Sequence, residues 1–341
     1  MSRVLVTGAR GFIGRHTLSP LLAGGFEVHA VTSAEPPIDA PCEVRWHRAD
    51  LLAAAAPAAL VAEVKPSHLL HLAWCTTPGS FWSTLENIDW LAASLGLLRA
   101  FGDAGGRRAV VAGTCAEYAW QRHTHCTEDH GPPVPGEAAL GAIATRPPAP
   151  GRPGTPTCPA TLYGAAKHGL HVIAQAWARQ IGLTLAWGRI FHLYGPHEPP
   201  GRLVSDVTRA LLRGEEARCT HGEQVRDFLY APELGDAFAA LLACEEVTGP
   251  VNMASGEPVR IAEVIAAIAA ETGRPELVRL GALPANPQEP ERLTADVRRL
   301  REEVGWAPSL DLRQGAEWTV SWWRHTLAGD PRAEREPETL S

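Results

Sequence analysis

Short apolar runs alternate with segments of helical periodicity along residues 1–189. The apolar runs predict buried strands at residues 3–8, 26–31, 68–73, 109–113 and 183–189. Helices are predicted from the end of the first run to about residue 23, and over residues 85–104 and 163–181. Strands that alternate with helices in this way predict an α/β fold built on a doubly wound parallel sheet.

After residue 189 the pattern breaks into shorter pieces divided by glycine and proline, which predicts a smaller C-terminal α/β lobe. We therefore predict a first domain over residues 1–188 and a lobe over residues 189–328, some of whose segments return to the first domain. Residues 329–341 are charged and proline-bearing, and we expect them to be disordered. Residues 131–159 carry nine prolines, which we interpret as a solvated insertion in preference to a loop over a site.

Three glycines join the first predicted strand to the first predicted helix. Glycines in such a turn let backbone N–H groups approach a pyrophosphate at a helix N-terminus. The spacing here is G-x-x-G-x-x-G, and its place between strand and helix predicts a Rossmann-type dinucleotide site. The loop residues expected to contact the cofactor are Gly8, Arg10, Gly11, Phe12, Ile13 and Gly14.

Tyr163 and Lys167 form a second motif, because residues four apart share one face of a helix. An ammonium near a phenol favours the ionised phenol, which can then exchange a proton with a hydroxyl or carbonyl oxygen. Lys65 and Lys167 are the two lysines among 31 basic residues, so lysine has been kept at this position in an arginine-rich chain. The motif predicts an acid–base pair.

The glycine loop and the Tyr163–Lys167 pair together make the chain resemble the extended short-chain dehydrogenase/reductases. Within them it is similar to the NAD-dependent epimerase/dehydratase branch, which acts on nucleotide sugars. The resemblance implies that Thr114 orients the reacting sugar oxygen beside Tyr163, and that both Tyr163 and Lys167 also contact the cofactor. Cys115 and Ala116 stand where the sugar 4,6-dehydratases carry an Asp-Glu pair, which disfavours a dehydratase.

The resemblance also assigns the remaining cofactor and substrate contacts. The expected cofactor contacts beyond the glycine loop are Thr32, Ser33, Asp50, Leu51, Leu72, Ala73 and Trp74. The expected substrate contacts are Thr114, Cys115, His192, Arg202, Arg226 and Arg292. His192 replaces the asparagine of the family's R-x-F-N-x-Y-G-P segment. Arg226 begins an R-D-F-x-Y segment, whose planar guanidinium suits a nucleotide diphosphate.

Thr32 and Ser33 bear on the choice between the two nicotinamide cofactors. A carboxylate at the end of the second strand would bind the ribose 2′-hydroxyl of NAD(H) and repel a 2′-phosphate. The chain has no carboxylate at either position, and Arg10 could pair with the phosphate. NADP(H) is therefore favoured, with NAD(H) as the alternative.

Composition narrows the classes of partner. A net charge of −7 and a pI near 6.1 argue against nucleic acid and against an anionic membrane surface. We find no signal segment and no apolar run of membrane-spanning length. Seven cysteines without a C-x-x-C pair favour a reducing, cytoplasmic location, and the scattered histidines predict no metal site.

The sequence thus leaves three functions open. The leading expectation is NAD(P)H-dependent reduction of a keto group, at C4 of a nucleotide-activated 4-keto-6-deoxy sugar. The first alternative is a nucleotide-sugar 4-epimerase with tightly held NAD, and the second is a non-catalytic dinucleotide-binding regulator. The resemblance further implies a homodimer formed through the helices that begin near Leu85 and Tyr163.

Overall fold

The computed structural model describes residues 2–37, 41–120, 124–128, 154–287 and 289–329. The strands within these ranges are β1 Arg3–Thr7, β2 Glu27–Thr32, β3 Arg45–Arg48, β4 His68–His71, β5 Arg108–Thr114, β6 His125–Cys126, β7 Thr184–Ile190, β8 His192–Tyr194, β9 Ala217–Arg218, β10 Val225–Tyr230, β11 Gly249–Met253, β12 Pro258–Arg260, β13 Val278–Arg279 and β14 Arg292–Ala295. The helices are α1 Leu18–Ala23, α2 Ala56–Val64, α3 Glu86–Asp103, α4 Leu162–Ile181, α5 Leu203–Arg213, α6 Ala231–Ala243, α7 Ile261–Thr272 and α8 Leu312–Leu327.

Seven parallel strands form the main sheet, in the order β3-β2-β1-β4-β5-β7-β11. The chain starts in the middle at β1, moves to one edge through β2 and β3, and then crosses back to build the other half from β4. This confirms the predicted doubly wound sheet. The strand order reverses between β1 and β4, and the crevice outside their carboxyl ends is where such folds bind ligands.

Helices cover both faces of the main sheet, which explains why its inner strands read as apolar runs, whereas the edge strand β3 is polar and partly exposed. Successive residues of β1 point to opposite faces: Val4 and Val6 pack in the core beneath α1 and α6, and Leu5 packs in the core beneath α2, α3 and α4. A buried strand therefore has no polar face, and the apolar runs in the sequence mark these strands without the period-two alternation of an exposed sheet.

The smaller lobe contains a second sheet with the order β12-β10-β14-β6, and β8 pairs with β10. Helices α5, α7 and α8 pack on one another around a separate apolar core. Strand β11 pairs with β7 in the main sheet. The division at residue 188 stays a prediction, since β7 itself continues to Ile190.

Two sequence predictions concern residues that are mostly not described. Of the proline-rich segment 131–159, the structure describes residues 154–159, and of the C-terminal segment 329–341 it describes Gly329. Both predictions therefore lie largely outside the described residues. No helix in the described ranges has the length and apolar character that crossing a membrane requires.

Candidate active site

The glycine loop closes tightly against the end of β4. Gly8 has a φ of 70°, and a side-chain carbon built on it would lie 2.7 Å from the backbone nitrogen of Ala73. Gly14 packs equally closely against the backbone of Gly8 and Ala9. A short 3₁₀ turn, Gly14–Thr17, then runs directly into α1. Because the loop leaves no space for side chains at these glycines, backbone approaches backbone at the crevice, and this fits a dinucleotide pyrophosphate.

Thr32 ends β2 beside the crevice, where the adenosine ribose of a dinucleotide would lie. Its side-chain oxygen accepts a hydrogen bond from the backbone N–H of Ala34 at 3.1 Å, and Ser33 is exposed. Arg10 is exposed in the glycine loop. The nearest acidic side chain along the chain, Glu35, is held by Arg48 at 2.6 Å. The end of β2 therefore presents hydroxyl groups to the crevice and no carboxylate of its own.

Asp50 and Leu51, the residues expected to contact the adenine, lie in the turn after β3. A carboxylate oxygen of Asp50 accepts a hydrogen bond from the N–H of Leu52 at 3.0 Å, while Leu51 is buried. Asp50 therefore shapes the turn, and Leu51 contributes to the core beneath α2.

Leu72, Ala73 and Trp74 follow β4 at the switch point of the sheet. The N–H of Ala73 donates to the side-chain oxygen of Thr7 at 3.3 Å, which ties the ends of β1 and β4 together. His71 is buried between the hydroxyls of Thr7 (2.7 Å) and Ser94 (2.8 Å). Burial lowers the pKa of His71 to about 3, so this imidazole is neutral and structural.

Tyr163 lies in the first turn of α4. The Thr161 side chain caps this helix by accepting a hydrogen bond from the N–H of Gly164, at 3.1 Å. A side-chain carbon on Gly164 would lie 2.5 Å from the carbonyl oxygen of Ala116, so the helix start packs directly on the turn after β5. This contact brings Tyr163 into hydrogen-bonding range of Thr114.

Burial raises the pKa of Tyr163, and its hydrogen bond with Thr114 acts in the opposite direction. Two aromatic rings also flank the phenol: the centroid of Phe81 lies 5.0 Å away and that of Trp82 lies 5.8 Å away, both edge-to-face. The N–H of Tyr163 donates to the carbonyl of Trp82 at 3.2 Å. The phenol therefore sits protonated in a largely apolar setting.

Lys167 is fully surrounded by protein one turn further along α4. Its ammonium donates to the carbonyl oxygen of Ala112 at 2.8 Å and lies 3.9 Å from the centre of the Trp74 ring. Burial lowers the pKa of Lys167 to about 7. Its described contacts are thus with Ala112 and Trp74, whereas the sequence led us to expect the ammonium beside the phenol of Tyr163.

Cys115 and Ala116 form the turn against which α4 packs. Burial raises the pKa of the Cys115 thiol to about 12, and Ala116 has no titratable group. Neither can transfer a proton near neutral pH. The pair of carboxylic acids associated with elimination of water is therefore missing from this turn.

Positively charged side chains of the smaller lobe face this turn. Arg226 on β10 is buried and acts electrostatically on Cys115 and His192, and Arg202 acts on Tyr163 and His192. The Arg202 guanidinium also lies 5.1 Å from the centre of the Phe81 ring. Burial lowers the pKa of His192 to about 3, so the imidazole is neutral. The structure therefore brings three of the four substrate candidates of this lobe to one crevice.

Arg292, the fourth, is less well placed. It is the first residue of β14 and pairs with Val225, whereas Arg226 pairs with the next residue, Leu293. The side chain of Arg292 is exposed. Arg226 itself is anchored by backbone carbonyls and by Glu289 at 3.4 Å. Because Arg292 pairs with Val225 and not with Arg226, the two arginines lie on opposite faces of the sheet, and the structure does not bring Arg292 to the crevice.

Sequence reasoning missed Phe81, Trp82 and Glu117. The two aromatic residues stand in the loop between β4 and α3, and the aromatic pair F-W ahead of a predicted helix was the available signal. Glu117 is a charged residue inside an otherwise apolar stretch, which also marked it as unusual. Its carboxylate lies beneath the turn that carries Thr114, so it belongs to the surroundings of the site.

Gly8, Thr114, Tyr163 and Lys167 lie around the crevice at the carboxyl ends of the main-sheet strands, and their roles there stay predictions. Residues 4–254 match the NAD dependent epimerase/dehydratase family, and the chain belongs to it. This confirms the resemblance drawn from the sequence. The family is that of nucleotide-sugar enzymes which use NAD, so the coarser expectation of function is confirmed as well.

Individual relatives show a range of activities within the family. The chain is 25% identical to UDP-glucuronic acid decarboxylase 1 of Xenopus tropicalis, over 95% of this chain and 73% of the relative. It is 25% identical to UDP-glucose 4-epimerase of Thermus thermophilus, solved with NAD, with a TM-score of 0.74 over 94% and 98% of the two chains. It is 28% identical to MoeE5, solved with UDP-glucose and NAD, with a TM-score of 0.76 over 96% and 100%.

These solved neighbours hold NAD, so the expected preference for NADP(H) finds no support in them. They favour the epimerase alternative over the ketoreductase that the sequence put first.

Proposed function

We propose that the protein is an NAD-dependent 4-epimerase of a nucleotide-linked hexose. The observation that carries the proposal is the turn Thr114-Cys115-Ala116 against Tyr163. The Thr114 hydroxyl and the Tyr163 phenol can together bind and transfer the proton of a single sugar oxygen. Neither Cys115 nor Ala116 adds a second acid–base group beside them. Such a site suits reversible oxidation and reduction at one carbon, without loss of water.

The residues of this chain supply the proton chemistry of that cycle. Thr114 orients the sugar O4 by hydrogen bonding, and Tyr163 takes the O4 proton as C4 is oxidised and returns it as C4 is reduced. NAD, when bound, supplies the hydride acceptor and donor. The charge of Arg202 lowers the pKa of Tyr163 and so favours the phenolate that is needed in the oxidative half of the cycle, while Lys167 donates to the Ala112 carbonyl on β5. The apolar rings of Phe81 and Trp82 exclude water from the phenol.

The cationic side of the crevice supports a nucleotide diphosphate as the carrier of the sugar. Arg226 is held in place by the carbonyl of Val225 at 3.0 Å and by Glu289, so its remaining N–H groups are pre-oriented. Arg202 lies beside the same crevice. UDP is the carrier to try first, since the neighbour MoeE5 was solved with UDP-glucose.

The ketoreductase remains the second candidate, and the observation in its favour is the end of β2. Thr32 and exposed Ser33 offer no carboxylate to a ribose 2′-hydroxyl, and Arg10 is exposed nearby in the glycine loop. The 2′-phosphate of NADPH would therefore meet no repelling carboxylate at the end of β2, as a reductase that consumes NADPH requires.

Two assays separate the candidates. The first releases nucleotide from the purified protein with acid and identifies it, because an epimerase recycles its NAD and keeps it bound. The second incubates the protein with UDP-glucose, without added cofactor, and follows the appearance of UDP-galactose. Retained NAD with conversion supports the epimerase. Stoichiometric NADPH oxidation with a nucleotide 4-keto-6-deoxy sugar, and no conversion of UDP-glucose, would replace it with the ketoreductase.

A further inference from the structure

Glu117 is a carboxylate in the interior of the molecule, in the same turn after β5 that begins with Thr114. Its side chain is 0% exposed. One oxygen accepts hydrogen bonds from the N–H of Thr114 at 2.9 Å and from the indole N–H of Trp187 at 2.8 Å. The other accepts from Nε of Arg189 at 3.2 Å. Glu117 therefore fixes the backbone of Thr114 directly and faces α4 from below the turn.

Glu117 is not a displaced dehydratase acid. A general acid must reach the substrate, and this carboxylate is enclosed by the two side chains and the backbone group that donate to it. The buried ion pair with Arg189 also argues against a metal site, although Glu117, His168 and His171 place one potential ligand atom each within 4.8 Å of one another. The guanidinium already neutralises the carboxylate and would repel a cation.

The charge of Glu117 acts on the site through α4. Burial lowers the pKa of Lys167, and the negative charge of Glu117 raises it. The Cys75 thiol and His71 on β4 also face this ammonium, and both are neutral near pH 7 because burial raises the pKa of the thiol and lowers that of the imidazole. Glu117 itself faces Arg189 on β7, and Tyr163, His168 and His171 on α4. Among these groups Glu117 has the largest favourable effect on the charged form of Lys167.

We propose that Glu117 is a positioning residue of this site, which holds the Thr114 turn in place through its hydrogen bonds and presents a buried negative charge to Lys167. The proposal rests on the proposed function only where it concerns turnover. Its electrostatic part concerns the resting protein and can be tested without a substrate.

The chain has two lysines, so the titration of Lys167 can be followed in a spectrum with two lysine signals. Protein labelled with lysine enriched in ¹³C at Cε gives one signal for Lys167 and one for Lys65, which is exposed and serves as an internal reference. The variant Lys65→Arg lacks the Lys65 signal and therefore assigns the two signals. A pH titration by NMR then measures the titration midpoint of Lys167, that is, the pH at which half of the Lys167 side chains are deprotonated. In Glu117→Gln we expect this midpoint to fall by about half a pH unit or more, because the amide cannot stabilise the ammonium by charge.

Glu128→Gln is the matched control. Glu128 is also buried and also accepts a hydrogen bond from a backbone N–H, that of Asn252 at 2.8 Å, but it is not among the charges that act on Lys167. Its variant should leave the Lys167 midpoint in place. An equal shift in the two variants, or none in Glu117→Gln, would overturn the electrostatic role.

Glu117→Gln leaves Arg189 buried without its carboxylate and could fail to fold for that reason. The double variant Glu117→Gln with Arg189→Gln removes both charges and avoids this cost. Lys167 should still titrate at lower pH in it, because Arg189 is not among the groups that act on Lys167.

Turnover provides the second readout. In Glu117→Gln, the whole pH–rate profile for the sugar should move to lower pH, since loss of the negative charge favours deprotonation of both Lys167 and Tyr163. A fall in turnover at every pH without such a displacement would mean that Glu117 is merely structural. If the Lys167 midpoint moves in a protein that converts no sugar, the proposed function fails and this inference stands.

Discussion

Tyr163 carries the chemistry at the scale of single residues, because its hydroxyl meets Thr114 at the place where a sugar oxygen would react. Tyr163→Phe removes that one atom and leaves the rings of Phe81 and Trp82 in contact. We expect turnover to fall by about 10²–10⁴-fold, the usual contribution of a positioned proton donor. Steady-state rates, with the melting temperature as a check of folding, measure this. A variant that keeps most of its turnover would exclude Tyr163 as the acid–base group.

Arg226 tests the substrate side of the crevice. Lysine keeps the charge but loses the planar fork that meets two phosphate oxygens, so Arg226→Lys should raise KM for the nucleotide sugar by about tenfold and leave kcat nearly unchanged. Arg209→Lys is a suitable control, since Arg209 lies on α5 over the ring of Trp323. Equal effects of the two variants on KM would show that Arg226 does not bind the substrate.

The reacting residues themselves could be predicted from sequence, and their surroundings could not. Thr114, Tyr163 and Lys167 stand at fixed spacings near a strand end and a helix start, so local pattern marks them. The position of the Trp74 ring on Lys167 depends on how α4 packs beside β4, which is a contact between residues 93 positions apart. The same is true of Glu117 and Arg189, 72 residues apart.

The glycine loop between β1 and α1 is the element on which cofactor binding depends. Gly8→Ala would place a side-chain carbon 2.7 Å from the nitrogen of Ala73, in a left-handed backbone conformation as well. We expect loss of bound nucleotide and a large drop in melting temperature. Gly25→Ala is the control, because Gly25 has a similar φ of 79° but nothing within 4 Å.

The two variants separate strain from crowding. Gly25→Ala should lower the free energy of unfolding by about 1–2 kcal/mol, the cost of a left-handed residue, and keep the nucleotide. Nucleotide measured after acid release, together with thermal unfolding, distinguishes the two. If Gly8→Ala retained nucleotide as well as Gly25→Ala does, close approach at Gly8 would not be needed for binding.

Sequence patterns located five of the seven strands of the main sheet within a few residues, did not locate β3 and β11, and were less informative about the smaller lobe. The five located strands are buried and stand out as apolar runs, whereas β3 is partly exposed and has arginine at both ends. Strands β9 and β13 in the lobe have two residues each, which is too short for any periodicity. The position of β11 in the main sheet was not predicted, since strand order depends on tertiary packing.

Stability of the whole molecule should depend on pH through its buried neutral histidines. The pKa of His71 is about 3 in the folded protein and about 6.5 when it is exposed on unfolding. Below about pH 6.5 the unfolded chain therefore binds a proton at His71 that the folded protein does not bind. The free energy of unfolding decreases as the pH falls below that value. For His71 alone the loss between pH 7.5 and pH 5 is about 2 kcal/mol.

Chemical denaturation at the two pH values measures that loss. His71→Gln should reduce the difference in unfolding free energy between them by about the stated amount, and His221→Gln, at an exposed position, should not. If His71→Gln preserved the full pH dependence, His71 would not be the neutral buried group described here.

Helices α3 and α4 expose apolar side chains on one side of the molecule. Leu85, at the start of α3, is 72% exposed and Ile88 is 54% exposed, while Val172 and Ile173 on α4 are each about half exposed. We propose that this surface forms the homodimer expected from the sequence. Ile88→Glu with Val172→Glu should give a monomer by sedimentation velocity, whereas Leu280→Glu in the smaller lobe should leave a dimer. A wild-type monomer would contradict the proposal.

In the proposed reaction one carbon of a nucleotide sugar is oxidised and reduced within a single site that keeps its NAD. The decisive measurement uses UDP-glucose that carries deuterium at C4. We predict UDP-galactose that retains the deuterium at C4, because the hydride leaves and returns without meeting water, and that Tyr163→Phe forms it far more slowly. Product in which the deuterium is replaced by solvent hydrogen, or no product with NAD bound, would contradict the account.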